Sequence, residues 1–182
     1  MEIIKTTFSE VTDLIASILS EQKEACVYCI SDENCVIVGS NGGVNKTEAL
    51  NRGIRLVEIK HEGGTIIASP GDVQIGIFTH GYTGNNYRQQ IIFNILDKLK
   101  QNGHDAKLVN NDILVNGKKC VGFGSRMFGD ILYTAIQVSI NIDVDLIKTI
   151  CTKKMSKVPD GLSNYGITTE DILDILFNAI PH

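Results

Sequence analysis

The chain contains no tryptophan, three prolines and no apolar run long enough to span a membrane. A membrane helix needs about 20 mostly apolar residues. The first 20 residues carry Glu2, Glu10 and Asp13 without the basic start of a signal peptide. The 17 basic and 21 acidic side chains give a net charge of −4, so the basic footprint of a nucleic-acid-binding protein is also missing. These absences predict a cytoplasmic protein that binds neither nucleic acid nor a membrane.

Cysteine and histidine are not grouped as metal ligands. The five cysteines are an odd number, which fits a reducing compartment better than a disulfide framework. Cys26 and Cys29 have the C-x-x-C spacing, but no second pair and no neighbouring histidine completes a zinc site. We therefore expect both to be buried thiols of one strand.

Hydrophobic periodicity predicts one mixed α/β domain. With 182 residues, 43% of them apolar, the chain can bury a single good core, and no linker or repeat divides it. Helices are predicted after Ser9, over 46–52, after Asn86 and after Thr168, where Asp171 completes a capping box. Strands are predicted over 25–30, 35–39, 56–60, 73–79, 106–109, 113–115 and 131–140.

The most informative stretch is 110–126, which reads N-N-D-I-L-V-N-G-K-K-C-V-G-F-G-S-R. Asn116-Gly117 is typical of a two-residue hairpin turn, so a strand starting at Lys118 should return beside 113–115. Paired lysines after such a turn are usually solvated, and the turn alone does not indicate a function.

Strand alternation separates the two lysines. It places Lys119 and Val121 on one face of the returning strand, and Lys118, Cys120 and Gly122 on the other. We therefore expect only one lysine to face inward. A fixed positive charge there can stabilise negative charge that develops on phosphate or acyl oxygens.

The spacing N-D-(I/L)-x-V-x-G-(K/R)-K-x-x-G-x-x-x-R in this stretch resembles the family of lipoate-protein ligases, biotin-protein ligases and octanoyl transferases. The resemblance covers most of the chain. It implies an α+β fold with a mostly antiparallel central sheet flanked by helices, of the class II synthetase-like type. It also implies a single catalytic domain over 1–182, without a separate accessory domain.

The resemblance also assigns roles to residues. Lys119 is the implied catalytic lysine, and Asp112 is the implied metal ligand. The loop 40–43 is implied to border an acyl pocket. The residues implied to bind substrate and nucleotide are Gly63, Gly64, Thr65, Gly71, Asp72, Asn111, Asp112, Gly122 and Arg126.

The chain departs from the lipoate-ligase pattern before Lys119. Glu58 and Ile59 stand where those ligases have basic residues, Glu62 replaces the first of three glycines, and Ala68 replaces a histidine. Nearby cations that could substitute are Arg52, Arg55 and Lys60. The turn Ser69-Pro70-Gly71 is more similar to that of biotin ligases.

The activity implied is ligation: ATP and Mg²⁺ activate lipoate or a similar acyl acid, which is then transferred to a lysine of a lipoyl-carrier domain. A separate accessory subunit is a further implied partner.

Three alternatives stay open. An ATP-independent octanoyl or lipoyl transferase needs a cysteine nucleophile, for which Cys120 and Cys151 are the candidates. Biotin-protein ligation is a second alternative, although the chain lacks the tryptophan expected in biotin ligases. A non-catalytic ligand-binding relative fits the missing basic residues.

Overall fold

The computed structural model describes residues 1–58, 64–153 and 157–180, and within these ranges the chain forms ten β-strands and five α-helices. In chain order they are β1 (Glu2–Thr6), α1 (Val11–Glu21), β2 (Ala25–Ile30), β3 (Cys35–Val38), α2 (Lys46–Asn51), β4 (Arg55–Glu58), β5 (Thr65–Ala68), β6 (Val73–His80), α3 (Gly84–Gln101), β7 (Ala106–Val109), β8 (Asp112–Val115), β9 (Lys118–Phe128), β10 (Ile131–Val138), α4 (Val144–Ile150) and α5 (Thr169–Ala179). A short 3₁₀ helix, Leu162–Tyr165, precedes α5.

The described strands form two sheets. The larger has seven strands in the order β1-β2-β6-β10-β9-β8-β7, and the smaller has three in the order β4-β3-β5. The β1–β2 and β3–β4 pairs are parallel, and the other neighbours are antiparallel. This mostly antiparallel arrangement confirms the predicted fold class.

The two faces of the large sheet pack against different layers. One face buries the apolar side of α3, which includes Ile91, Ile95 and Leu99, together with residues of α5. The other face packs against α1 and the small sheet through a second cluster that includes Phe8 and Phe78. Helices α2 and α4 cover the remaining side of the small sheet. Along each strand, alternate side chains therefore enter different cores.

The cysteine prediction is confirmed. Cys26 and Cys29 are both 0% exposed, and they belong to the clusters on opposite faces of the large sheet. An odd spacing within a strand forces this separation. Among the described residues, no helix combines the length and the apolar character of a membrane span.

Helix starts were predicted with mixed success. The capping box of Thr168 and Asp171 is confirmed, whereas Ser9 and Asn86 were wrong as caps. Helix α1 is entered through a turn in which the Thr7 carbonyl accepts the Val11 N–H at 3.0 Å. Helix α3 begins two residues before Asn86, because the Thr79 hydroxyl accepts the Gly84 N–H at 2.8 Å.

Candidate functional site

A cavity of about 760 Å³ lies between β5 of the small sheet and strands β9 and β10 of the large sheet. Its floor is open because Gly122, Gly124 and Ala135 carry little or no side chain. A Cβ built at Gly124 meets no atom within 4 Å. Apolar side chains supply most of the walls: Ile66, Ile67, Phe128, Tyr133, Ile142 and Ile147.

Lys119 reaches this cavity because β9 contains a β-bulge. Gly122 pairs with Asp112 and Val121 with Ile113, but the next pair is Lys119 with Leu114, so Cys120 is the extra residue. Cys120 and Val121 are each 1% exposed and both enter the cluster beneath α3. The prediction that grouped Lys119 with Val121 was therefore wrong, since the bulge returns the lysine to the face of Gly122.

The absence of a side chain at Gly122 makes room for the lysine. A Cβ at this position would lie 2.9 Å from Nζ of Lys119, closer than real Cβ contacts come. Lys118, by contrast, lies outside the cavity lining, with its Nζ 2.9 Å from Oδ2 of Asp160. As predicted, only one of the two adjacent lysines faces inward.

Asp112 joins two lysines at the cavity wall. Its Oδ1 lies 2.7 Å from Nζ of Lys119, and its Oδ2 lies 2.6 Å from Nζ of Lys157. Burial acts to raise the pKa of the Asp112 carboxyl, but the hydrogen bonds and charges of the two lysines outweigh burial and lower it. The result is an ionised carboxylate between two cations, with a net positive charge for the three groups.

Lys157 is held in place by backbone pairing beside Lys119. The Lys119 N–H donates to the Val158 carbonyl at 2.8 Å, and the Asp160 N–H donates to the Lys119 carbonyl at 2.9 Å. Lys157 also donates to the Val109 carbonyl at 3.3 Å. A segment distant in sequence thus brings a second cation to the same carboxylate.

The predicted binding residues divide into three groups. Gly64, Thr65, Asp112, Gly122 and Arg126 line the cavity together with Lys119. The cavity lining does not include the described residues Gly71, Asp72 and Asn111. Gly63 lies outside the described residues, and so does Lys60.

Asn111 and Asp72 make backbone contacts. The Asn111 carbonyl accepts the Phe123 N–H at 2.9 Å, and the residue is exposed. The carboxylate of Asp72 is 0% exposed and accepts the N–H groups of Ser69, Ile140 and Asn141 at 3.0, 2.6 and 3.0 Å. Asp72 therefore ties the β5–β6 turn to the chain that leaves β10. Burial, partly offset by these hydrogen bonds, raises the pKa of its carboxyl.

The nearby arginines proposed as substitutes are engaged elsewhere. Arg52 lies 2.6 Å from Glu48, and Arg55 lies 3.2 Å from Glu33. Neither residue is part of the cavity lining, and the loop 40–43 is not part of it either. That loop touches the wall from outside, where the Gly43 N–H donates to the Thr65 hydroxyl at 3.1 Å.

The polar cavity residues that sequence reasoning missed are Gln74, Ser125, Gln137, Ser139 and Lys157. Gln74 and Gln137 lie in predicted strands, and a polar residue within an apolar strand was the signal that could have singled them out.

The candidate cysteine nucleophiles have different surroundings. Cys120 faces the core beneath α3, and burial raises its pKa to about 12. Cys151 lines the cavity just after α4, and burial raises its pKa as well. A nucleophilic cysteine needs a lowered pKa, because the thiolate is the reactive form.

Two lysines contact the carboxylate of Asp112, the residue predicted to bind a metal ion. Magnesium sites use one or two carboxylates together with substrate phosphates. Both oxygens of Asp112 already contact ammonium groups, so a metal ion bound there would lie beside two positive charges. Residues 1–58, 64–153 and 157–180 contain no group of three or more His, Cys, Asp or Glu side chains placed to hold a metal. The metal role stays a prediction.

Comparison with known proteins identifies similar sequences and folds. The sequence profile described as the lipoyl protein ligase A/B catalytic domain matches residues 10–175. A search of the curated proteins finds no match.

The solved structures that share the fold include three of lipoate-protein ligases. LipL1 of P. falciparum in complex with lipoate is 17% identical, with a TM-score of 0.78, and the match covers 98% of this chain and 60% of that one. Lipoate-protein ligase A bound with ATP is 15% identical, with a TM-score of 0.76 and coverage of 98% and 83%. The bipartite lipoate protein ligase of Thermoplasma acidophilum, studied with its E2 lipoyl domain, is 15% identical, with a TM-score of 0.74 and coverage of 98% and 81%.

Proposed function

Because the chain belongs to the family of lipoyl protein ligase A/B catalytic domains, we propose that it activates lipoate or a similar acyl acid with ATP. The acyl group is then transferred to a lysine of a lipoyl-carrier domain. The observation that carries this proposal is the position of Lys119, whose ammonium group stands at the wall of a mostly apolar cavity. An apolar cavity suits an acyl chain, and a fixed cation suits the acid group at its end.

The cavity dimensions support an acyl substrate. Its volume of about 760 Å³ falls within the range of about 300–1,000 Å³ that small-molecule sites occupy. Residues 133–137 of β10 run along the floor, which gives a path of about 14 Å at the usual rise per strand residue. Lys119 and Gly122 are at the 137 end of this path, so the acid group belongs there.

In the proposed reaction the carboxylate of the acid attacks the α-phosphorus of ATP, and pyrophosphate leaves. The carrier lysine amine then attacks the acyl carbon of the mixed anhydride, and AMP leaves. Lys119 neutralises charge on the phosphate and carbonyl oxygens, and Lys157 adds a second positive charge 2.6 Å from the shared carboxylate of Asp112. Asp112 holds both ammonium groups in position, and Gly122 leaves room for Lys119.

The relatives support the choice of substrates and partner. One similar structure is a complex with lipoate, another is bound with ATP, and a third is a bipartite ligase studied with its E2 lipoyl domain. We propose the same acid and nucleotide for this chain, and a lipoyl domain as acceptor. We also propose that residues 1–182 fold as one catalytic domain.

Among the alternatives, a binding protein without adenylation has one observation in its favour. Glu58 stands where ligases have a basic residue, and it lies 2.7 Å from Lys46, which it neutralises. Direct transfer through Cys120 is disfavoured, because Cys120 is 1% exposed and lies in the core beneath α3. Cys151 lines the cavity and is the cysteine that a direct transfer would use. Lys157, which comes from a different segment, places a cation at the cavity and compensates for the basic residue that Glu58 replaces.

Acid-dependent exchange of labelled pyrophosphate into ATP tests the proposal. Lipoate, octanoate and biotin should be compared with the native protein, with Lys119→Met and with Lys118→Met as the matched control. We expect exchange with one of these acids and a loss of at least about 100-fold in Lys119→Met, because removing a group that stabilises developing charge costs this much. Lys118→Met should retain exchange, since Lys118 lies outside the cavity lining.

The other outcomes separate the alternatives. Folded native protein that catalyses no exchange with any acid would contradict ATP-dependent ligation. Transfer of an octanoyl group from a loaded carrier to a second carrier would then indicate a transferase. Acid binding without either reaction would indicate a binding protein.

A further inference from the structure

Gln137 carries a carboxamide that is buried without a partner. Within the described part of the chain, neither Nε2 nor Oε1 of Gln137 has a hydrogen-bond partner, although both atoms are buried. A buried amide normally pairs with protein or bound solvent, and leaving one unpaired costs folding free energy. Gln137 lines the cavity, so a ligand there can supply the missing partner.

The strand register places this carboxamide beside Lys119. Gln137 of β10 pairs directly with Gly122 of β9, and Nζ of Lys119 lies 2.9 Å from the point where a Cβ of Gly122 would be. Cβ positions of directly paired residues are about 5 Å apart. The amide and the ammonium therefore flank one small volume at the same end of the cavity.

The neighbouring amide on the other side is already engaged. Gln74 of β6 also pairs with Gln137 in register and lines the cavity. Its Oε1 accepts a weak hydrogen bond from the Cys29 thiol at 3.9 Å. Further along β10, the floor changes to Ala135 and then to Tyr133, whose ring stacks on Phe78 at 4.8 Å. The unpaired amide thus lies at the Lys119 end of this path, and the other cavity-lining cation on β9, Arg126, pairs with Tyr133 at the opposite end.

We propose that Gln137 selects the head group of the ligand by donating its Nε2–H to a carboxyl oxygen of the acyl acid beside Lys119. This inference rests on the proposed function, in that it assumes an acid as the substrate. A carboxylate is an acceptor only and needs donors when it leaves water. Lys119 supplies charge, and Gln137 supplies a neutral, directional donor that a lysine cannot replace. Gln137 is in this sense a specificity residue rather than a source of charge.

Calorimetric binding of lipoate, octanoate and biotin, without ATP or carrier, tests the inference with two variants. Gln137→Leu removes the donor, and we expect the dissociation constant of the preferred acid to rise about tenfold to hundredfold, as for a lost hydrogen bond to a charged group. Gln137→Glu replaces the donor with a negative charge and should weaken binding further. If Gln137→Glu bound the acid more tightly than Gln137→Leu, the ligand would present a donor there and the inference would be overturned.

Asn34→Leu is the control for loss of a buried amide oxygen that has no partner. Within the described residues, Oδ1 of Asn34 is also buried without a partner, but Asn34 is not part of the cavity lining. We expect neither Asn34→Leu nor Gln137→Leu to lower the melting temperature of the ligand-free protein, and only Gln137→Leu to weaken acid binding. A lowered melting temperature in Gln137→Leu would assign a structural role and overturn the inference.

The remaining outcomes distinguish this inference from the proposed function. Native acid binding that Gln137→Leu leaves unchanged would overturn the role of Gln137 alone. Native protein that binds none of the acids would overturn both the proposed function and the inference.

Discussion

Asp72 and Asp112 are two aspartates that the sequence placed in one site, yet their surroundings differ. Asp72 is fully buried and accepts three backbone N–H groups. Asp112 lies at the cavity wall between the side chains of Lys119 and Lys157. Burial dominates at Asp72 and raises its pKa, whereas at Asp112 the lysines outweigh burial and lower the pKa.

The difference shows that the partners of a buried or partly buried carboxylate decide how firmly its surroundings are fixed. Backbone N–H groups cannot leave their strands or turns, so Asp72 fixes the junction between the two sheets. Ammonium groups at the ends of long side chains can move, so the lysines that contact Asp112 remain free to turn toward a bound substrate. Both residues follow a turn in the sequence, and the turn alone does not reveal which partners arrive.

Removing Asp72 should produce the largest change in stability. Asp72→Ala leaves three N–H groups without an acceptor, two of them buried, and we expect the free energy of unfolding to fall by about 3 kcal/mol or more. Urea unfolding measures this loss. Pyrophosphate exchange per folded molecule should stay close to the native rate, because Asp72 is not part of the cavity lining.

Asp112→Ala should show the reverse pattern, with a small loss of stability and a large loss of activity. We expect a stability loss within about 1 kcal/mol, since partly exposed ion pairs contribute little, and a clear loss of exchange activity. If Asp112→Ala destabilised the protein as much as Asp72→Ala and left exchange intact, the contrast between the two carboxylates would not hold.

A smaller effect is expected from filling the space at Gly122. In Gly122→Ala the added Cβ would lie 2.9 Å from Nζ of Lys119, so the ammonium must move. We expect exchange activity to fall about tenfold to hundredfold, as for a displaced catalytic group. Unfolding should hardly change, because the contacted atoms end a flexible side chain.

Gly124→Ala is the matched control for that substitution. Gly124 lies two residues further along β9, and a Cβ there meets no atom within 4 Å. Activity in Gly124→Ala should therefore remain near native. Equal losses in both variants would show that any added methyl group on this strand disturbs the cavity, without a particular role for Lys119.

The smallest effect is the dependence of stability on pH. The pKa of Asp112 is lowered in the folded protein, so its contribution is present above the unfolded value of about 3.9 and is lost as pH falls toward the folded value. The raised pKa of Asp72 has the opposite sign, since protonation there favours the folded state. Asp112→Asn should therefore reduce the acid-side decline, by less than about 1 kcal/mol.

Urea unfolding of native protein and Asp112→Asn between pH 7 and pH 3 measures this difference. The comparison of two proteins cancels other carboxyls with lowered pKa values, such as Asp160. An identical decline in both proteins would mean that the two lysines do not stabilise the charged form of Asp112.

The sequence predicted most of the fold because local patterns determine it. Strands β2 and β7 were predicted with the bounds that the structure shows, and the capping box of α5 was also correct. Strand β1 was missed, since Glu2–Thr6 is short and carries charge at both Glu2 and Lys5.

The site was less predictable because it depends on distant contacts. Lys157 reaches Asp112 through backbone pairing of 158–160 with Lys119, which no local spacing indicates. Gln137 is a single polar residue in an apolar strand, and only the structure shows its unpaired amide and its pairing with Gly122. The bulge at Cys120 depends on the partner strand β8, and alternation along β9 alone gave the wrong face for Lys119.

The bulge also governs how the active strand tolerates insertions and deletions. In a regular strand, two residues share a face only when an even number of positions separates them. Lys119 and Gly122 are three positions apart and share a face because Cys120 is extra. Loss of one residue between them would keep their parity in a regular ladder, but with the lysine drawn about 3.4 Å closer. The spacing K-x-x-G therefore sets the distance between the lysine and the glycine as well as their identities. The number of residues between them should matter as much to the site as the two residues themselves.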